Sequence, residues 1–161
     1  MTLAIHRNDP AALPRFAELN ARWIEDLHVL EESDKAMVAD PSIYLANGGL
    51  VFSAHVDGEV PGEVAGACAL KPHLSGPHAG QWELTKMAVD DAYRGQGIGQ
   101  ALMDAVHAHA KDALGLSSIF LLSNTKNAAA LRLYARNGWT VNHEGSHPTY
   151  ARCNIGMEKI L

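Results

Sequence analysis

The spacing of apolar and polar residues predicts strands and helices in alternation along the chain. Leu3 and Ile5 alternate in a short opening strand. Asp9-Pro10 then has the form of a helix cap followed by a first-position proline, although Pro14 delays the regular helix by a turn. The buried face of this helix is predicted from apolar residues at intervals of three and four positions: Phe16, Leu19, Trp23 and Leu27.

A second helix and a β-hairpin are predicted next. The helix runs from Glu31 to Ala39 and stops before Asp40-Pro41. A strand begins at Leu50, the segment from Asp57-Gly58 to Gly62 forms a turn, and Val64 to Leu70 is the returning strand. A loop rich in proline, glycine and histidine follows.

The next strand carries apolar residues in two phases, Trp82 and Leu84 and then Met87 and Val89. A β-bulge near Thr85 or Lys86 would bring all four to one side, because one extra residue reverses the alternation. Such a kink would also leave backbone amides free for a ligand. The alternative is a strand buried on both faces.

The second half of the chain predicts two helices and three strands. Gly115 ends the first helix, whose buried stripe comprises Ile98, Ala101, Leu102, Ala105, Val106 and Ala113. The continuous apolar run Ile119 to Leu122 is typical of a central strand. Asn127 to Asn137 forms a second helix, and the tail adds strands from Trp139 to Glu144 and from Arg152 to Lys159. The order of elements predicts one mixed α/β domain over residues 1–161.

Composition restricts the classes of function. The 161 residues are 47% apolar and 19% charged, with 13 basic against 18 acidic residues and a net charge of −5. A nucleic-acid partner would favour a basic stripe, and a membrane span would need an apolar run of about 20 residues, so neither partner is expected. The N-terminal residues lack the pattern of a signal peptide, and Cys68 and Cys153 are widely separated, so a cytoplasmic protein with reduced thiols is expected.

A glycine-rich segment, Arg94-Gly95-Gln96-Gly97-Ile98-Gly99, lies between a strand and a helix. The free amides and positive dipole end of a helix N-terminus bind phosphate oxygens, and glycines let the backbone approach a pyrophosphate. The segment has no lysine for a Walker loop, and it does not fit the spacing of a dinucleotide-binding fingerprint.

This segment resembles a motif of the GNAT superfamily of N-acetyltransferases, [Arg/Gln]-x-x-Gly-x-[Gly/Ala]. Glu83 to Val89 is similar to the bulged strand that precedes it in the family. Asn127 to Trp139 is similar to the family's next motif, with Trp139 in place of the commoner Phe. The tail from Tyr150 to Glu158 also resembles bacterial small-molecule acetyltransferases. The resemblance spans roughly residues 50–161, and the first 45 residues match only in outline.

The resemblance implies a mixed, mostly antiparallel sheet, splayed at a central parallel pair, with helices on both faces. It also implies acetyl-CoA as cosubstrate and a small-molecule amine as acceptor, and a homodimer is compatible with it. Backbone groups for the acetyl carbonyl and pantetheine arm would come from Met87, Ala88 and Val89. The pyrophosphate would be held by Arg94, Gly95, Gln96, Gly97, Ile98, Gly99 and Gln100. Asn127 would contact the pantetheine, and Tyr134 would lie beside the sulfur.

Each of these roles has a simpler structural alternative. The glycines could form a bare turn, Asn127 a helix N-cap, and Tyr134 a core aromatic residue. Tyr134 fits a general acid for the departing thiolate, and Glu83 fits a base that relieves the amine of its proton through water. The alternative for Glu83 is an ordinary solvated strand residue.

The sequence also supports predictions about the acceptor, about metal binding and about alternative functions. Arg152 is predicted to read a carboxylate on the acceptor, and the alternative is a surface pair with Glu144 or Glu158. No metal is expected, because His107 and His109 point about 200° apart on a helix and the loop histidines lack further ligands. The alternatives to a small-molecule N-acetyltransferase are a non-catalytic acyl-CoA sensor and a protein N-acetyltransferase.

Overall fold

The computed structural model describes residues 2–57 and 63–161. The predicted turn between the strands of the hairpin falls on residues 58–62 and so lies outside the described residues. The strands are β1 Thr2–Arg7, β2 Leu50–Asp57, β3 Glu63–Pro72, β4 Trp82–Val89, β5 Ser118–Ser123, β6 Thr140–Glu144 and β7 Ile155–Ile160. The α-helices are α1 Leu13–Leu27, α2 Glu32–Ala39, α3 Ile98–Ala108 and α4 Ala128–Arg136. Short 3₁₀ segments span Pro10–Ala12, Pro41–Gly48 and Asp91–Tyr93.

The strands form one mixed sheet in the order β1-β2-β3-β4-β5-β7-β6. Every neighbouring pair is antiparallel except β4 and β5, which are parallel. Among the described residues these two strands pair at one position, Glu83 opposite Phe120. The splayed parallel pair expected from the family resemblance is therefore confirmed, and it opens a cleft in the middle of the sheet.

Helices cover both faces of the sheet, as predicted. The side chains of β2 and β3 alternate between the faces, with Phe52 and Cys68 on one and Val51 and Ala67 on the other. The first face packs against α3 and α4 through buried residues that include Leu102, Met103, Val106 and Tyr134. The second packs against α1 and α2 through Phe16, Ala17 and Met37. No helix of the described residues is long and apolar enough to cross a membrane.

The start of α1 follows the predicted sequence signals, whereas its end does not. Asp9 caps the 3₁₀ segment by accepting a hydrogen bond from the amide of Ala11, and Pro14 occupies the first turn of α1. Phe16 and Leu19 are buried as predicted, but Leu27 is 47% exposed. Ile24 takes the inward position, because the buried stripe of a helix with 3.6 residues per turn drifts away from a strict four-residue step.

The helix after the glycine-rich segment ends in a π turn, His109–Ala113, that the sequence pattern did not predict. A π turn adds one residue to the local repeat and shifts the buried stripe. Ala110 is therefore fully buried, while Ala113, predicted to lie on the stripe, is exposed. The tail also differs, since β7 begins at Ile155 and Arg152 lies in the turn before it rather than in a strand.

Candidate active site

The segment from Arg94 to Gln100 presents its backbone at the start of α3. Gly95 and Gly97 have φ angles of +75° and +79°, a region in which a residue with a Cβ is strained. A Cβ placed on either glycine would meet no atom within 4 Å, so the space in front of this backbone is open. Within the described part of the chain, the amides of residues 95–100 donate to no protein acceptor. The segment is therefore suited to bind an anion.

The side chains of the same segment contribute less than its backbone. Ile98 is buried in the core, and the amide group of Gln100 is bonded to Asp104 and Asn137 at 2.8 and 2.7 Å. Arg94 is exposed, and its Nε lies 2.7 Å from an oxygen of Asp91. Gln96 is exposed as well. Only Arg94 and Gln96 could therefore add a mobile side chain to the backbone amides.

The predicted bulge in β4 is confirmed, and Lys86 is at its centre. The register against β3 slips by one residue between Thr85 and Ala88, and Lys86 has a left-handed φ of +58°. The extra residue places the four apolar residues on the α3 side of the sheet: Trp82, Leu84, Met87 and Val89. Ala88 faces the other side and is buried there, so the alternative of a strand covered on both faces also holds.

A cleft of about 140 Å³ opens on the carboxyl side of the splayed strands. Its lining includes Glu83, Lys86, Asn127, Tyr150, Arg152 and Cys153. Glu83 is 7% exposed, so the alternative of a solvated strand residue is wrong. Its Oε1 lies 2.8 Å from Nε2 of His73, which is also largely buried. The pair places a carboxylate with a fixed orientation inside the cleft.

Asn127 lies at the cap position of α4, but its side chain makes no cap hydrogen bond. It bonds instead to Ser123 Oγ at 3.3 Å and to His28 Nε2 at 3.4 Å, and it lines the cleft. Tyr134 is 8% exposed and packs in the main core beside Trp139, with ring centroids 5.9 Å apart. Burial raises the pKa of the Tyr134 hydroxyl, so this group is protonated at neutral pH.

Arg152 pairs with an acid that the sequence analysis did not consider. Its Nη1 and Nη2 donate to the two oxygens of Asp34 at 2.6 and 3.0 Å. The alternative to the predicted carboxylate-reading role, a surface pair with Glu144 or Glu158, is therefore wrong. Lys86 Nζ donates to the same carboxylate at 2.6 Å. Burial would raise the pKa of Asp34, but its hydrogen bonds to Arg152 and Lys86 hold it well below its usual range.

A comparison with models of known protein families identifies the family of this chain. The model of the acetyltransferase (GNAT) domain matches residues 47–141, which include the glycine-rich segment, β4 and α4. This chain belongs to the GNAT acetyltransferase family. No curated protein matches its sequence.

Solved structures with low sequence identity share the GNAT fold along nearly the full chain. A GNAT-family acetyltransferase from Staphylococcus aureus Mu50 has a TM-score of 0.82 at 21% identity, covering 99% of both chains. A GCN5-related N-acetyltransferase from Kribbella flavida has a TM-score of 0.75 at 22% identity, covering 99% of this chain and 98% of its own. The protein yncA from Salmonella typhimurium, solved with its cofactor acetyl-CoA, has a TM-score of 0.75 at 19% identity, covering 100% and 95%.

The GNAT domain also has a contact between two histidines that the sequence did not predict. His147 Nδ1 accepts hydrogen bonds from the amides of Thr149 and Tyr150 at 3.0 and 3.1 Å, so its proton is on Nε2. That nitrogen faces Nε2 of His78 at 3.0 Å, and His78 Nδ1 in turn faces Gln81 Oε1 at 3.2 Å. An imidazole that accepts at Nδ1 and carries its proton on Nε2 is neutral, so the contact requires a neutral His147. We refer to His78 and His147 as the histidine clasp.

The clasp joins two segments that are far apart in sequence. His78 lies between β3 and β4 and stacks on Phe120, with ring centroids 4.3 Å apart. His147 lies in the segment of residues 145–154, between β6 and β7. Tyr150 and Arg152 lie in the same segment. The sequence offered one signal for this contact, the large number of histidines in the chain. The pairing itself could not be predicted, because two residues 69 positions apart form no local sequence pattern.

The histidines named in the sequence analysis of metal binding have other contacts. Nε2 of His107 accepts a hydrogen bond from Trp139 Nε1 at 3.1 Å, and His109 Nδ1 lies 2.8 Å from Nη1 of Arg7. A different group, His6, Asp9 and His55, brings its ligand atoms within 4.8 Å of one another. The rings of His6 and His55 stack at 4.1 Å and 21°, so their lone pairs do not converge on one ion without a rotation.

Proposed function

We propose that this GNAT domain transfers the acetyl group of acetyl-CoA directly to the amine of a small molecule. The observation that carries the proposal is the position of the open amides of residues 95–100 relative to β4. They follow this strand after one short 3₁₀ segment, and the splayed edge of the same strand opens on the cleft that contains Glu83. An anion-binding backbone and a buried carboxylate are the two parts that such a transfer requires. The small volume of the cleft favours a small acceptor over a protein segment.

The residues present fit acetyl-CoA, which supplies a thioester acetyl group when bound. The amides of residues 95–100 suit a pyrophosphate, and Arg94 can add a forked cation. In the described residues β4 pairs with β5 only at Glu83, so the edge of β4 that faces β5 leaves backbone groups of Met87, Ala88 and Val89 for the acetyl carbonyl and the pantetheine arm. Asn127, whose side chain does not cap α4, suits the pantetheine amides. The left-handed glycines and the open space in front of them support this fit.

Glu83 is the proposed base. A primary amine has a pKa of about 10, so reaching its neutral form near pH 7 costs roughly 4 kcal/mol. The carboxylate of Glu83 is held by His73 at Oε1, which leaves its second oxygen for the amine proton, directly or through water. Backbone amides at the bulge would stabilise the negative charge that develops on the carbonyl oxygen, which is commonly the larger electrostatic contribution.

Tyr134 is the proposed donor to the departing sulfur. Its pKa is raised by burial, so it keeps its proton at neutral pH and can donate a hydrogen bond. A thiolate with a pKa near 8.5 is a weaker base than a buried tyrosinate, so the hydroxyl stabilises the leaving group rather than losing its proton completely. Catalysis by Tyr134 therefore requires the sulfur to lie close to its hydroxyl.

The cysteines support direct transfer over an acetylated enzyme. Cys153 lines the cleft, but burial raises the pKa of its thiol to about 11, so little thiolate exists at neutral pH. Cys68 is fully buried, and burial raises the pKa of its thiol as well. Neither thiol is suited to act as a nucleophile.

The proposal is tested by following free thiol release from acetyl-CoA with a panel of small amines. A transferase releases thiol at a rate that depends on the amine, and mass spectrometry detects the acetylated product. A non-catalytic sensor binds acetyl-CoA in calorimetry and releases no thiol with any amine. A protein acetyltransferase releases thiol with peptides but not with small amines. Either of the last two results would overturn the proposal.

A further inference from the structure

Two cations share one buried carboxylate at the acceptor side of the cleft. The side chain of Asp34 is 0% exposed, and those of Lys86 and Arg152 are 9% and 15% exposed. Asp34 accepts from both cations, and the amide of Glu31 adds a further hydrogen bond at 2.8 Å. The group of Asp34, Lys86 and Arg152, which we call the cationic cluster, therefore has one positive charge in excess.

This excess charge is permanent near neutral pH. Burial would raise the pKa of Asp34, but its hydrogen bonds to Arg152 and Lys86 keep the group ionised. Glu31 and Glu83 line the same cleft and offset part of this charge at longer range. Within the described residues neither carboxylate forms an ion pair with Lys86 or Arg152, so the two cations still lack a second opposite charge in direct contact with them. An anion that enters the cleft would supply that charge.

The backbone at Lys86, one of the two cations, is in a strained conformation. Lys86 has a φ of +58°, and a residue with a Cβ in that region is strained. The bulge places its side chain on the side of the sheet that faces Asp34, opposite the apolar residues of β4. Strain of this kind is concentrated at ligand-binding positions.

The cluster retains donors for a ligand. A guanidinium has five N–H groups, and Asp34 accepts from two of the nitrogens of Arg152. Lys86 and Arg152 both line the cleft that contains Glu83. A ligand in the cleft can therefore meet a base and a cationic site at the same time.

We propose that the acceptor amine also carries a carboxylate, which binds to Lys86 and Arg152 while Glu83 takes up the amine proton. Asp34 is then a positioning residue that orients both cations without touching the acceptor. The volume of the cleft, about 140 Å³, fits an amino acid or a molecule of similar size. This inference rests on the proposed function, because it concerns the acceptor of the same reaction.

The test compares amines that differ in one carboxylate. Amino acids are paired with their amides, and β-alanine and γ-aminobutyrate are paired with propylamine and butylamine. For the wild type we expect kcat/KM to be about 10- to 100-fold higher for the better acids than for their partners, which corresponds to charged hydrogen bonds. Arg152→Gln and Lys86→Gln should each reduce that ratio at least tenfold. Each variant leaves Asp34 with one cation, and circular dichroism and thermal unfolding establish that each variant is folded before its ratio is interpreted.

Lys35→Gln is the matched control, since it removes an exposed cation from α2 next to Asp34. It should leave the ratio of acid to amide unchanged. Arg152→Lys should restore only part of the ratio, because an ammonium cannot replace the planar fork of a guanidinium. Equal use of acids and amides by the wild type, or an unchanged ratio in both Gln variants, would overturn the inference.

A binding measurement separates this inference from the proposed function. The same acids and amides are titrated into protein loaded with coenzyme A, and nuclear magnetic resonance follows their line widths. Selective binding of acids that is lost in Arg152→Gln supports the cationic cluster, even if no acetylated product forms. In that case only the proposed function fails. Acetylation of amines with no selectivity for acids in either measurement leaves the proposed function intact and overturns the carboxylate site.

Discussion

Residues 94–100 offer a ligand the backbone of one contiguous segment, whereas the proposed acceptor side of the cleft consists of side chains from distant parts of the chain. Asp34 and Arg152 are 118 positions apart, and His78 and His147 are 69 apart. Backbone amides recognise a group that is constant, such as a pyrophosphate. Side chains on separate segments can be replaced one at a time, so the acceptor side is free to change its specificity while the cofactor side is retained.

The largest effect is expected on the acceptor side. Glu83→Gln should lower kcat by about 100- to 10,000-fold, the range of a lost general base, with little change in the affinity for coenzyme A. The defect should shrink as the pH rises toward the pKa of the amine, because the amine then loses its proton without help. Stopped-flow thiol detection between pH 7 and 9.5 measures this. A defect that does not change with pH would indicate a structural role, and Glu144→Gln, on the exposed strand β6, serves as the control.

Tyr134→Phe tests the proposed hydrogen-bond donor to the sulfur. It removes one hydroxyl with almost no change in shape and should lower kcat about 10- to 1000-fold at nearly constant KM for acetyl-CoA. The free energy of unfolding should stay within about 1 kcal/mol of the wild type, since the ring keeps its place beside Trp139. An unchanged kcat with lower stability would show that Tyr134 is only a core aromatic residue.

Gly97→Val tests the cofactor side. The side chain would occupy the open space in front of the amides and should weaken coenzyme A binding about 10- to 100-fold in calorimetry, the range for one or two lost charged hydrogen bonds. Because Gly97 has a φ of +79°, some stability is lost as well. Gly115→Val is the matched control, since it has a φ of +63° and open space but lies at the other end of the helical segment. Equal loss of affinity in both variants would contradict the anion site.

The smallest effect concerns the histidine clasp and pH. Burial and the neighbouring His78 lower the pKa of His147, so the folded protein favours the neutral imidazole. The stability that the clasp contributes is therefore present above the unfolded pKa of about 6.5 and is lost as the pH falls toward the lower folded value. The protection factor of the Tyr150 amide, which donates to His147 Nδ1, should therefore fall below about pH 6 in hydrogen exchange corrected for the intrinsic rate. His147→Asn should abolish that pH dependence, whereas His143→Asn, at an exposed position, should retain it.

The sequence predicted most of the fold, the bulge in β4 and the glycine turn before α3, because their signals are local. Two positive-φ glycines before a helix and a phase change in β4 act within a few residues. The acceptor side was harder, because Arg152 was assigned to a strand and its partner Asp34 was not considered at all. Burial of Asp34 comes from the packing of α2, a helix whose apolar pattern is weak and gives no indication of a charged inward face. The π turn after α3 was missed for the same reason, since no residue type in His109–Ala113 requires it.

Lys86 has a consequence for engineering this domain. Position 86 has a backbone geometry that glycine adopts without strain. Where the relieved strain outweighs the lost hydrogen bond from Lys86 to Asp34, a screen for heat resistance would select Lys86→Gly. The same change would delete half of the charge offered to the acceptor and leave the remaining cation fully neutralised by Asp34. Variants selected only for thermal stability would therefore lose the proposed preference for acceptors with a carboxylate. Any selection on this domain should measure substrate preference together with melting temperature.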